Sequence, residues 1–151
     1  MILANMYLQN VDVAMADQTI MEVAEIAPTD PEVLWTMASI YERKGESDLA
    51  AQTAYQAFLR GVDTADDSVL NWVVDYYMER ELYPEVVELY EAIVEAHPER
   101  TNLLSSLAVA YTYTGEFQKA YTLVLEIIDL FPEEEENGQA FLESIKPYLE
   151  N

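Results

Sequence analysis

Residues 101–134 read TNLLSSLAVAYTYTGEFQKAYTLVLEIIDLFPEE. Leu104, Leu107, Ala108 and Tyr111 stand at offsets of 3, 4 and 7, which is the spacing of one helix face and not strand alternation. Ala120, Val124 and Ile127 repeat offsets of 4 and 7 in the second half. Gly115 lies between the halves, where a helix would close in a left-handed turn. Pro132 follows the second half. The segment therefore spells two short amphipathic helices joined by a tight turn, with small residues that let them approach closely.

The same columns recur upstream. Tyr7, Tyr41, Tyr77 and Tyr111 are spaced by 34, 36 and 34 residues. Four residues before each comes Leu3, Met37, Val73 or Leu107, and nine after comes Ala16, Ala50, Val86 or Ala120. Pro28, Pro98 and Pro132 keep the same beat. A period of this size marks a repeated supersecondary unit that buries its apolar face only against its neighbours. Helix boundaries agree. Asp30-Pro31 reads as an N-cap with proline at the first helical position, and Ser47 and Thr101 are further candidate caps. Pro84 suits a first turn. Arg43, Lys44, Arg60, Arg80 and Lys146 fall at or near last turns, where the helix dipole favours cations.

This pattern resembles the tetratricopeptide repeat (TPR) family, a 34-residue helix–turn–helix unit. Leu104, Leu107, Ala108, Tyr111, Gly115, Ala120 and Pro132 occupy that family's signature columns. The resemblance implies an all-α fold: a right-handed α-solenoid of antiparallel helix pairs, about four repeats plus a C-terminal capping helix. Repeat one, incomplete, would span 1–30, repeat two 31–64, repeat three 67–100 and repeat four 101–134. A capping helix would occupy about 138–150, opening after Asn137-Gly138 and kinked or ended by Pro147. The sequence departs from the family in three ways. Leu fills the usual Trp column, Val11 and Glu81 replace the turn glycine, and two extra residues fall in Gly61–Asp67.

Composition narrows function. The chain carries 29 acidic and 7 basic residues, a net charge of −22, which repels nucleic acid and anionic lipid. It disfavours an RNA-binding helical repeat for the same reason. There is no cysteine, hence no disulfide, thiolate nucleophile or cysteine-built zinc site. The sequence shows no long apolar span and no signal-peptide pattern at its start, which weakly favours the cytoplasm. His97, the single histidine, reads as a loop residue beside Pro98, and Ser39, Ser105 and Ser106 have no histidine partner. The run Glu133–Glu136 lacks the spacing of a calcium loop and reads as solvated surface. The reading is non-enzymatic, with no cofactor and no metal.

The resemblance assigns the first helix of each unit to a concave face, and that mapping supplies the candidate site. Unit one contributes Asn5, Leu8 and Gln9. Unit two contributes Trp35, Thr36, Ser39, Glu42 and Arg43. Unit three contributes Asn71, Trp72, Asp75, Met78 and Glu79, and unit four Asn102, Ser105, Ser106, Val109, Thr112 and Tyr113. Each Trp either offers a binding hot spot or fills space between helices. Some TPR domains clamp a C-terminal carboxylate with Lys, Asn and Arg. Here the lysines lie outside the mapped columns and Glu42, Asp75 and Glu79 are acidic. The favoured partner is a peptide or protein segment carrying basic and apolar or aromatic residues. The competing reading is a structural spacer or self-associating module, because repeat one lacks its opening residues and leaves an open N-terminal end.

Overall fold

The computed structural model describes residues 13–62 and 67–149, with side chains from residue 15 onward. Asn5, Leu8, Gln9, Tyr7 and Val11 lie outside the described residues, as does most of the interval holding the two extra residues. Among the described residues the protein is all-α, with eight α-helices and no strand. They are α1 (Val13–Ile26), α2 (Pro31–Arg43), α3 (Ser47–Leu59), α4 (Asp67–Met78), α5 (Tyr83–Ala96), α6 (Thr101–Tyr113), α7 (Phe117–Leu130) and α8 (Glu135–Ile145). Single 3-10 turns, Pro132–Glu134 and Lys146–Tyr148, flank α8. The chain divides into two compact units, Met1–Tyr76 and Tyr77–Asn151.

One turn design closes a helix and opens the next at three places among the described residues. The amide of Glu46 donates to the Tyr41 carbonyl, that of Leu82 to Tyr77 and that of Glu116 to Tyr111, at 2.9, 3.0 and 2.8 Å. The carbonyls of the same three residues then accept the first bond of the following helix, from Ala50, Val86 and Ala120. One residue thus ends one helix and opens the next, which leaves no room for anything but a sharp reversal. Tyr41, Tyr77 and Tyr111, three of the four repeated tyrosines, are the residues whose carbonyls receive this closing bond. The reversal needs a left-handed residue just before it. Gly45 and Gly115 supply it at φ of 76° and 77°, and Glu81 is forced into it at 58°.

A second turn recurs at the prolines. Asp30 donates to Ala27, Arg100 to His97 and Glu134 to Phe131, each bond spanning a turn whose second residue is Pro28, Pro98 or Pro132. Proline's fixed φ suits that position. Asp30 caps α2 as its sequence indicates, its Oδ1 accepting from the amides of Glu32 and Val33 at 3.0 and 3.1 Å. Ser47 and Thr101 do not cap. They are the first residues of α3 and α6, and Glu46 and Arg100 precede those helices without a side-chain cap bond. In α3 the reason is the shared turn residue, which brings the helix start forward by one position.

In the first unit, α1 lays Ala16 and Ile20 against Val33 and Ile40 of α2, with Met37 alongside. Helix α3 buries Ala50, Ala51, Ala54 and Ala57, whose small side chains suit a close approach to α2. Leu70 and Val73 are buried on α4, and the Tyr76 hydroxyl donates to Asp48 of α3 at 2.9 Å.

In the second unit, α5 buries Val86, Val87, Leu89, Tyr90 and Ile93 and packs on α6, which packs in turn on α7. Helix α8 covers α7 through a cluster of Ala108, Val124 and Leu142, with Tyr121, Ile128 and Phe141 around it. This covering helix begins at Glu135, three residues before the sequence places it, so Asn137 and Gly138 are helical. Gly138 is buried there because α8 runs hard against α7. A Cβ on it would sit 2.6 Å from Ile128 Cγ1. Pro147 ends the α-helix in a 3-10 turn, which the stacked rings of Phe117 and Tyr148 hold at a centroid distance of 4.6 Å.

Candidate functional site

The stripe on α6 is the most complete part of the mapped face. Asn102, Ser105, Val109 and Tyr113 follow one another at helical spacing and are all exposed, Val109 at 43% and Tyr113 at 51%. On the opposite side of the same helix, Leu103, Leu104, Leu107, Ala108, Ala110 and Tyr111 are buried. Val109 and Tyr113 therefore keep much of their surface open to solvent. Tyr113 is held in place by stacking on Tyr83 of α5, with ring centroids 5.1 Å apart and planes 22° apart. Ser106 and Thr112 return their hydroxyls to their own helix, at the carbonyls of Asn102 and Val109.

Beside this stripe, α6, α7 and α8 enclose a cleft of about 170 Å³. Val109, Val124, Ile127 and Phe141 supply its apolar lining, and Ser105, Glu134 and Asn137 its polar lining. The Asn137 amide donates to the Glu134 carboxylate at 3.1 Å, which steadies that carboxylate. None of the lining residues is basic. Gly138 belongs to the same wall, and the absence of a side chain there lets α8 approach closely enough to shape it.

On α2 the mapping fares less evenly. Trp35 is half-buried and meets Phe58 of α3 edge-to-face, with centroids 5.7 Å apart at 74°. It therefore serves packing between the two helices and keeps only part of its indole for solvent. Thr36 is 2% exposed and donates its hydroxyl to the Glu32 carbonyl. It lies three residues after Val33 and four before Ile40, both buried, so the helical period carries it into the core. It has no surface to offer a ligand, contrary to the sequence assignment. Ser39 bonds back to the Trp35 carbonyl, and Glu42 and Arg43 are exposed. On α4, Asn71 and Asp75 are exposed and Trp72 is half-buried. Met78 is half-buried and Glu79, just beyond the helix, is exposed.

A polar network ties α5, α6 and α7 on another face. The Tyr111 hydroxyl donates to Glu91 at 2.8 Å. Lys119 bridges Glu91 and Glu116, and its ammonium lies 5.0 Å from the Tyr111 ring centroid. Burial first, then the bond to Glu91 and the nearby negative charges, raises the Tyr111 phenol well above its ordinary value of 10.0. The Lys119 and Thr114 bonds hold the Glu116 carboxyl below its usual range. A similar cluster in the first unit has Lys44 bonded to Asp17 at 3.1 Å, near Glu46, over the Tyr41 ring. Both clusters join neighbouring helices through an aromatic ring and a lysine. They place two of the three lysines in structural roles.

Sequence reasoning missed Glu134, Asn137, Phe141 and Tyr83 as neighbours of the α6 stripe. The acidic run gave only charge, and Phe141 gave only a helix-period apolar residue. What unites them is the turn and covering helix after Pro132. Among the described residues, no group of three or more His, Asp or Glu side chains could hold a metal ion, and no helix is long and apolar enough to cross a membrane. No protein-family model matches this chain, and no curated protein does either.

Proposed function

We propose that this protein is a non-catalytic interaction module of TPR-like build, an α-solenoid of helix pairs that holds a peptide or partner segment on the faces of its first helices. The favoured ligand carries basic residues together with apolar or aromatic ones. The observation that carries the reading is the α6 stripe, where Val109 and Tyr113 stay exposed beside Asn102 and Ser105 while the opposite side of the helix is buried. Val109 and Tyr113 lie one helical turn apart, so a partner segment can cover both at once. The acid excess adds direction, since it draws cationic segments and repels anionic ones.

A peptide array probed with the intact chain tests this. Enrichment of Lys or Arg next to Leu, Met, Phe or Trp is the expected result. Enrichment of acidic peptides, or equal retention of all sequences, would contradict it.

A further inference from the structure

The cleft between α6 and α8 narrows the ligand to one local pattern. We infer that it receives a single aliphatic or aromatic side chain of a partner peptide, whose neighbouring Lys or Arg reaches the Glu134 carboxylate. This rests on the binding reading above and adds to it a place and a residue pair.

Three observations support it. The walls are apolar and partly open, with Val109 and Phe141 not fully covered by their own chain. Burying a ligand methyl or ring against them removes water from both surfaces, the dominant favourable contribution in such contacts. Glu134 is the one acidic residue of the lining. Glu134 is oriented by Asn137, and Glu133, Glu135 and Glu136 flank it on the same turn, exposed. No basic side chain lines the cleft to neutralise it, so the local field selects a cation. The turn that carries Glu134 is itself fixed, its amide bonded to the Phe131 carbonyl at 2.9 Å. The carboxylate and the apolar side chains therefore line one cleft together, the combination that suits a side-chain pair such as Leu-Arg or Phe-Lys.

The test is a nitrogen-15 correlation NMR titration of the full chain with the peptide acetyl-Gly-Ser-Leu-Arg-Ser-Gly-amide, repeated with Leu replaced by Ser and with Arg replaced by Glu. Shifts centred on Val109, Asn137, Gly138 and Phe141, lost with either replacement, are the expected result. Glu134→Gln, which keeps a partner for Asn137, should weaken binding about two- to fivefold, the range for a partly exposed ion pair. Val109→Glu, at an exposed position, should weaken it about tenfold or more. Shifts centred on other faces would overturn the cleft assignment and leave the binding reading standing. Absence of shifts anywhere with all three peptides would overturn both.

Discussion

The Tyr111 hydroxyl donates to the Glu91 carboxylate at 2.8 Å, joining α6 to α5 at the tyrosine that sets the sequence period. That bond has a pH signature. The folded phenol ionises well above the unfolded value of about 10, so the folded state keeps its proton after the unfolded chain has lost it. Stability from this group is complete below pH 10 and falls as pH rises beyond it. Tyr111→Phe should cost about 1 kcal/mol at neutral pH. It should also flatten the alkaline loss of stability relative to the parent, measured by urea unfolding from pH 8 to 11. Parallel alkaline slopes in the two proteins would count against the bond.

Glu81 offers the opposite case, a residue that opposes its own turn. It holds φ of 58° where Gly45 and Gly115 occupy the equivalent place. A side chain in that region costs about 1–2 kcal/mol, partly offset by the greater unfolded freedom of glycine. Glu81→Gly should raise stability by about 0.5–1 kcal/mol, read as a higher denaturant midpoint at unchanged slope. A lower midpoint would mean the turn is not left-handed.

Much of the fold can be read before any coordinates are seen. Asp30-Pro31 announces its cap because both residue types serve one geometry, and the prolines and glycines mark turns whose bonds recur. Gly138 could not be read that way. A glycine after Asn suggests a loop, and only the proximity of Ile128 explains one inside a helix. Thr36 was misplaced because a mapped column assigns it outward, while its own offsets from Val33 and Ile40 assign it inward. The cleft was hidden for a further reason. It is made by residues of α6 and of the segment after Pro132, whose meeting depends on tertiary packing and leaves no local pattern.

Trp35 should behave as a packing residue. Its edge contact with Phe58 and its half-buried indole suggest that Trp35→Ala costs about 2 kcal/mol, with Trp35→Phe recovering most of it. Thermal unfolding monitored by circular dichroism measures both. An alanine variant as stable as the parent would return the indole to the list of free surface groups.

Removal of the Asp30 carboxylate should loosen the start of α2. Two amides lose their acceptor, and Asp30→Ala should cost about 1 kcal/mol, while Asp30→Ser should cost much less. Equal losses for the two variants would argue that the side chain acts through charge alone.

Salt should stabilise the protein. At a net charge of −22 the folded chain repels itself, and added ions screen that repulsion. The melting temperature is expected to rise by several degrees between low and high sodium chloride. An unchanged value would contradict the expectation.

Calorimetric titration of the array-selected basic–apolar peptide into the parent and into a Val109→Glu, Tyr113→Ala double variant is the most direct test of the proposed binding face. With melting temperatures matched, saturable one-to-one binding that is lost or at least tenfold weaker in the variant is the expected result. Equal affinity in the two proteins would place recognition elsewhere and contradict the proposal.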